Sequence, residues 1–531
     1  MTDAHQHDGK SVVPAAIVSV IAVYILTLLA GWPQRGTQEI IKAQAHERAD
    51  EAHHATDAVD EAEPASRPAE LAAPPLWTVI PFALLLFAIA VLPLIPATEH
   101  WWESNLNRFL VAAGLAVLAL AYYAFLHRAA FEGHWPAHHL VEPSDSVVQI
   151  DFIRTILANA ILNEFIPFIV LLFSLFTITG GIRITGDLQA HPVVNASFLA
   201  IGGMLASFIG TTGAAMLLIR VLLETNKERK HVVHTVVFFI FIVCNCGGCL
   251  LPIGDPPLFL GYLQGVPFLW TLVLWREWLF VNGLLLVIYV LLDQFWFYRH
   301  EKSADIRRDT TELRRLQFAG WELNAPLLVG IVLAVALLDP SKPVPGTNWH
   351  PWMYLREVVQ LGLVAASLRY GSRQVRYANR FNYHAIVEVA VLFSGIFITM
   401  QPALQILGAR GDELGIQTPA QYFWATGILS GVLDNAPTYL VFFKAAQAMP
   451  LEPNATPIAG VEEMRLMGIS LGAVFMGAMT YIGNGPNFMV RAIAEKSGVK
   501  MPSFFGYMVY SCIILLPLFA LMMWQYLLFP Y

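Results

Sequence analysis

The chain has 531 residues, of which 56% are hydrophobic and only 13% are charged, and its formal net charge is −7. A soluble protein carries roughly 25% charged residues, so this composition excludes an ordinary soluble domain. Apolar runs near or above the roughly 20 residues that span a bilayer recur along the chain, and they predict an all-α polytopic membrane protein with about 11–13 transmembrane spans. The sequence has no basic patch of the kind that binds nucleic acid.

Residues 1–75 are predicted to contain an N-terminal helix at 11–31 and then a polar linker. The hydrophobic run at 11–31 follows Lys10, as in a signal peptide, but no clean Ala-x-Ala cleavage site comes after it. We therefore interpret it as an uncleaved helix. Residues 32–75 are rich in Ala, Glu, Asp and His and contain several prolines, which is typical of a solvated linker.

The remaining chain divides into two halves that share one order of elements. The halves are 76–298 and 322–531, and a basic loop at 299–321 joins them. Each half has an apolar run with a polar tip, which predicts a helical hairpin, and then an interrupted apolar run, which predicts a broken helix. The predicted hairpins are 193–222 and 420–446, and the predicted broken helices are 231–263 and 464–494.

Matching residues and loop charges indicate that the repeat is inverted. Gly254-Asp255-Pro256-Pro257 corresponds to Gly483-Asn484-Gly485-Pro486 in the second half. The positive-inside rule places the basic loops in the cytoplasm. The chain can then be threaded only if each hairpin enters and leaves the membrane on one side, so both hairpins are predicted to be re-entrant. The basic loops are 226–231, 299–315 and 369–380.

Two acids, Asp434 and Asp255, lie at breaks in otherwise apolar elements. An acid at membrane depth is costly and usually faces a cavity or an ion path. Because a proton and a cation compete for one carboxylate, such a group is the minimum requirement of an exchanger. The alternative is that each aspartate only caps the helix that follows it. We rank Asp434 as the first residue to test and Asp255 as the second.

Other polar residues have two open interpretations each. Four lie in or beside the broken helices, where oxygen ligands would suit a hard cation but packing is the alternative; they are Asn245, Thr480, Asn484 and Asn487. Glu164 and Glu388 lie near span ends and are either exposed at the interface or part of a proton route. For the cysteines we favour packing over a metal site; they are Cys244, Cys246 and Cys249. For three histidines we favour a solvated outside loop over a pH sensor; they are His134, His138 and His139.

Several motifs resemble a known family. Leu433-Asp434-Asn435-Ala436-Pro437-Thr438, with Tyr481-Ile482-Gly483-Asn484-Gly485-Pro486-Asn487, resembles the second-half signature of NhaD-type sodium/proton antiporters and arsenite permeases. Gly210-Thr211-Thr212-Gly213 and Gly254-Asp255-Pro256-Pro257 resemble bacterial proteins labelled sodium/proton antiporter or citrate transporter. Over about residues 76–529 the chain is therefore similar to the ion transporter superfamily.

The resemblance implies an architecture and further site residues. It implies a homodimer in the bacterial inner membrane, in which each protomer has a scaffold domain and a transport domain that moves like an elevator. By motif it extends the cation and proton site to Thr211, Thr212, Asn435 and Thr438. It implies no cofactor and no metal centre, with Na⁺ and H⁺ as transported ions and lipid as the surroundings.

Two acids and no base at the breaks favour a sodium (or lithium)/proton antiporter. The Ser-Asn-Thr hairpin motif of dicarboxylate symporters is absent, which argues against direct binding of a carboxylate substrate. The alternatives are a cation-coupled citrate or dicarboxylate symporter and an arsenite-type oxyanion efflux permease. An enzyme is not expected, because the sequence has no Ser/His/Asp, His-Glu-x-x-His or P-loop arrangement.

Overall fold

The computed structural model describes residues 4–57, 73–302, 314–451 and 457–527. Parts of the predicted polar linker (58–72) and of the predicted basic loop (303–313) lie outside the described residues. The described chain is mostly helical. Its strands form three two-stranded antiparallel sheets, which pair Phe131–Gly133 with His139–Val141, Arg183–Asp187 with Arg314–Ala319, and Pro457–Ile458 with Val461–Glu462.

Helices run through both halves at the places that the apolar runs predict. In the first half the α-helices outside the hairpin and the broken helix are Ile80–Val91, Pro96–Trp102, Asn105–Phe125, Ile150–Leu157, Ile166–Thr179 and Trp275–Leu292. In the second half they are Trp321–Leu337, Leu355–Tyr370, Arg373–Ala378, His384–Thr399, Gln401–Arg410 and Phe504–Met522. Ile150–Leu157 and Ile166–Thr179 form one continuous helical run, because a π-helical segment, Ala158–Phe165, joins them.

Among the described residues, six helices are long and apolar enough to cross a membrane singly, and the number rises to eight if each of two bent helix pairs is one span. The bent pairs are Val13–Leu29 with Trp32–His46, at 69°, and His384–Thr399 with Gln401–Leu414, at 43°. The chain is therefore a multi-pass membrane protein. The prediction of 11–13 spans also counted the shorter and interrupted helices, which are too short to span singly by this measure.

The N-terminal region departs from the prediction of a linker directly after one helix. A helix covers Ala4–Leu29, and a second helix covers Trp32–Asp57, where a polar linker was predicted. Ala, Glu, Gln, Lys and Arg are strong helix formers, so polarity alone did not exclude a helix. The second helix is held to the body of the protein, since the Thr37 hydroxyl donates to Pro351 O at 3.1 Å and accepts from Met353 N at 2.9 Å.

The first hairpin consists of Pro192–Ile209 and Thr211–Thr225, and the second hairpin consists of Pro419–Val432 and Asn435–Gln447. In each hairpin the two helices pack against each other. Gly210 joins the helices of the first hairpin with φ +80°, a conformation that glycine adopts without strain. The tips therefore fall at the residues that the sequence predicted.

Each broken helix has an irregular middle. The first broken helix consists of Val233–Ile242, a 3₁₀ turn at Cys246–Cys249, and Pro256–Leu263. The second broken helix consists of Glu463–Met476, a 3₁₀ turn at Gly477–Met479, and Gly485–Lys496. Pro256 begins the last helix of the first broken helix, because proline fits a first helical turn and forces the residue before it into extended backbone.

Candidate functional site: a buried aspartate where four breaks meet

Asp255 and Asn484 occupy equivalent places in the two broken helices. Each is extended, with φ −142° and −153°, and each directly precedes the helix that resumes after the break. Neither side chain caps its own helix. Both side chains are therefore free to face the centre of the molecule, and they contact each other there.

The Asp255 carboxylate accepts hydrogen bonds from three side chains on three other breaks. Oδ1 accepts from the Thr211 hydroxyl at 3.0 Å and from Asn484 Nδ2 at 3.1 Å, and Oδ2 accepts from Asn435 Nδ2 at 2.8 Å. Thr211 begins the second helix of the first hairpin, and Asn435 begins that of the second hairpin. The two hairpin tips and both broken helices thus meet at one carboxylate, which is 1% exposed.

A layer of amides next to Asp255 ties the two broken helices together. Asn245 Nδ2 donates to Asn487 Oδ1 at 2.8 Å, and Asn484 Nδ2 donates to Cys244 O at 3.0 Å. Asn487 Nδ2 donates to the backbone oxygens of Gly477 and Thr480, both at 2.9 Å. These bonds satisfy carbonyl groups that the unwound backbone leaves without a helical partner.

The structure separates the predicted site residues into two groups. One hydrogen-bonded cluster, which we call the Asp255 cluster, contains Asp255, Thr211, Asn435, Asn484, Asn245, Asn487 and Thr480. Asp434, Thr438 and Thr212 are close to it in sequence but are not bonded to Asp255. The Thr438 hydroxyl donates to Asp434 O at 2.9 Å within its own helix, and Thr212 is half-buried beside Thr211.

Asp434 has the role that was predicted as the alternative, a helix cap. Its Oδ1 accepts from Ala436 N at 3.0 Å, at the start of the second helix of the second hairpin. Asp434 directly precedes Asn435, which donates to the Asp255 carboxylate, so a charge at Asp434 lies one residue from the Asp255 cluster. The cap does not exclude a further role for Asp434, but of the two acids only Asp255 accepts hydrogen bonds from the other breaks.

Asp434→Ala is expected to destabilise the protein by about 1 kcal/mol, because the cap to Ala436 N is lost. Asp434→Asn is expected to change stability less, because asparagine is also a good N-cap. Thermal melts of both variants in detergent measure the difference. Equal losses in the two variants would show that Asp434 contributes through its charge and not through the cap.

Each hairpin docks on its broken helix through matching contacts. The Ser207 hydroxyl donates to Gly247 O at 2.6 Å in the first half, and the Ser430 hydroxyl donates to Ala473 O at 2.7 Å in the second. A Cβ on Gly254 would lie 2.1 Å from Gly248 O. At the matching position in the second half, a Cβ on Gly483 would lie 2.6 Å from Gly477 O. Only glycine allows these backbone segments to approach so closely.

Comparison with known protein families assigns the chain. Two overlapping segments, residues 71–142 and 130–527, match the CitMHS_2 family, which is described as "Putative citrate transport". The chain belongs to the CitMHS_2 family. No curated protein matches the chain. This assignment supports the wider resemblance to ion and citrate transporters, and it makes the chain a membrane transporter.

Two cavities flank the hairpins of this CitMHS_2 chain. One, of about 260 Å³, is lined by residues that include Glu164, Gln401 and Lys444, and the other, of about 320 Å³, by residues that include Arg183 and Arg220. Asp255 lines neither cavity. Asp255 is 1% exposed, so its carboxylate is buried away from the surface in the described part of the chain.

Lys444 and Glu164 show what the sequence did and did not reveal about the first of these cavities. Lys444 lies in the last turn of the second helix of the second hairpin, so it is not a base at a break. A lysine within an apolar helix was the available signal. Glu164 is 4% exposed in the π-helical segment, so it is not exposed at the interface.

Glu388 has an ion-pair partner. It lies 3.0 Å from Arg108 Nη1, on the neighbouring helix Asn105–Phe125.

The three clustered cysteines are buried free thiols. The backbone oxygens of Cys244 and Cys246 accept hydrogen bonds from the side-chain amides of Asn484 and Asn282, respectively. These contacts are structural.

Proposed function

We propose that the chain is a secondary transporter that exchanges sodium (or lithium) for protons at the Asp255 carboxylate. The observation that carries the proposal is a buried acid surrounded by hydroxyl and amide groups at the junction of four breaks. Among the described residues, no basic side chain forms an ion pair with Asp255. A buried carboxylate without a partner charge favours either a proton or a cation.

The amides around Asp255 give a means of exchanging one ion for the other. Each carboxamide has one NH₂ donor and one oxygen acceptor. With Asp255 ionised, its carboxylate accepts hydrogen bonds from Asn435 Nδ2 at 2.8 Å and from Asn484 Nδ2 at 3.1 Å. A rotation of these amides would turn their oxygens toward a cation held by the carboxylate and the Thr211 hydroxyl, a ligand set that hard cations prefer. A proton on Asp255 removes the charge that the cation needs.

Burial of the Asp255 carboxylate, which lines neither cavity, supports alternating access over a continuous pore. An ion at Asp255 reaches water only if the hairpins and broken helices move relative to the rest of the protein. We propose that these four elements form the transport domain, that the remaining helices form the scaffold, and that the protein works as a homodimer with its basic loops in the cytoplasm. Inverted pairs of hairpins and broken helices are typical of such transporters.

Purified protein in liposomes that contain a pH-sensitive dye tests the proposal. An inward sodium gradient is expected to drive protons out, so the lumen becomes alkaline without any carboxylate substrate in the buffer. Potassium at the same concentration serves as the control for ion specificity. The absence of a sodium response over a wide pH range would contradict the proposal.

Cation-coupled citrate transport is the second candidate, and the family description is the observation that favours it. In that case labelled citrate is expected to accumulate in the liposomes under a sodium or proton gradient. The proton signal would then require citrate. The negative charge of Asp255, which no base among the described residues contacts, argues against a multivalent anion at this point unless a cation lies between them.

A further inference from the structure

The 131–141 ribbon, a β-hairpin outside the predicted spans, brings three metal-binding side chains together. Its register pairs Glu132 with Leu140 and Gly133 with His139. Side chains alternate between the two faces of a strand, so Glu132 and His134 share one face. His138 faces His134 across the turn, with the two Nδ1 atoms 3.2 Å apart.

We propose that Glu132, His134 and His138 form a binding site for a divalent transition metal of the zinc type. One ligand atom from each of the three side chains lies within 4.8 Å of the others. Two imidazoles and one carboxylate are ligands that zinc prefers, and three protein ligands leave a fourth position open. The site does not depend on the proposed transport function.

Contacts to a neighbouring helix hold the ribbon in place before any ion binds. His134 N donates to Asn159 Oδ1 at 2.8 Å, and Asn159 Nδ2 donates to Glu132 O at 3.4 Å. Asn159 lies in the π-helical segment and is 2% exposed. Because the backbone of Glu132 and His134 is already fixed by these bonds, an ion has little chain to order when it binds.

The same ribbon offers a matched control residue. His139 lies on the opposite face, where its ring covers Gly133: a Cβ on Gly133 would lie 2.4 Å from His139 Cε1. Its Nδ1 contacts Ala137 O at 2.9 Å. His139 therefore differs from His134 and His138 in position on the ribbon and not in chemistry.

Zinc titration of the full chain, after removal of any polyhistidine tag, tests the site. A chromophoric zinc chelator competes with the protein, and the shift in its absorbance gives the affinity. His134→Ala with His138→Ala is expected to weaken the tightest site by more than the roughly 10–100-fold that loss of an outer-shell partner costs. His139→Ala and the double change His53→Ala with His54→Ala, in the N-terminal region, are expected to retain it.

Cobalt gives an independent readout, since its visible absorption bands report the ligand set. The wild-type bands are expected to disappear in the double His134/His138 variant. Glu132→Gln, a nearly isosteric change at an exposed side chain, is expected to weaken the site on its own. Equal zinc affinity in the wild type and in all of these variants would overturn the proposal.

Discussion

Asp255→Asn is expected to abolish sodium-driven proton transport, reducing the dye signal to that of liposomes without protein. Asparagine is nearly isosteric with aspartate, and the second half already carries Asn484 at the matching position. The packing should therefore survive while the charge disappears. Without the charge neither a proton nor a sodium ion has a binding group. Dye quenching in liposomes measures the activity, and gel filtration of the detergent-solubilised variant checks its fold.

Asp434→Asn is the matched control, because it removes an acid from the opposing hairpin tip and preserves the helix cap. It is expected to retain sodium-driven transport with a changed sodium dependence, since the variant loses a negative charge next to Asn435, which donates to Asp255. If Asp434→Asn abolished transport and Asp255→Asn left it intact, the roles that we propose for the two acids would be reversed.

Gly254→Ala is expected to be among the most destabilising single changes in the chain. Its Cβ would lie 2.1 Å from Gly248 O and 3.0 Å from the Ser207 Cα, and both are backbone atoms that cannot rotate away. Overpacking of this kind costs roughly 1–3 kcal/mol and occasionally more. The first hairpin would separate from its broken helix, so we expect a lower melting temperature, less monodisperse protein and no transport.

Gly485→Ala is the control for this change. Gly485 directly follows Asn484 at the matching break, yet a Cβ there would meet nothing within 4 Å. Alanine is expected to leave the melting temperature nearly unchanged. A Gly254→Ala protein as stable as the Gly485→Ala protein would show that the two segments do not pack as closely as in the structure.

Much of the fold could be predicted from local sequence. Residues that end helices interrupt apolar runs at both hairpin tips and at both breaks, so this pattern alone located the tips and breaks. The tips are at Gly210 and Asp434, and the breaks come before Pro256 and Gly485. The order of elements repeats in both halves, and this repetition indicated which breaks are equivalent. Both signals are properties of short stretches of chain.

The arrangement of the site needed the structure. Whether Asp255 or Asp434 lies at the centre depends on which side chains from distant segments face it, and no local pattern carries that information. Each aspartate precedes a helix, so a cap was open for both, but only Asp434 is a cap. Lys444 was missed for a similar reason, because it reaches the cavity beside Glu164 only after the second hairpin has packed.

The N-terminal region shows the opposite error, an inference drawn from composition alone. Charged residues and prolines indicated a linker over 32–75, but the residues as far as Asp57 are helical. The anchoring bonds of Thr37 to Pro351 and Met353 join segments more than 300 residues apart in sequence. Long-range contacts of this kind decide whether a weakly amphipathic segment folds onto the protein.

Sodium binding to purified protein, measured with radioactive sodium at several pH values, tests the central claim most directly. We expect saturable sodium binding by the wild type, release of protons as sodium binds, and loss of both in Asp255→Asn but not in Asp434→Asn. Sodium binding that is unchanged in Asp255→Asn, or that does not depend on pH, would contradict competition between sodium and a proton at this carboxylate.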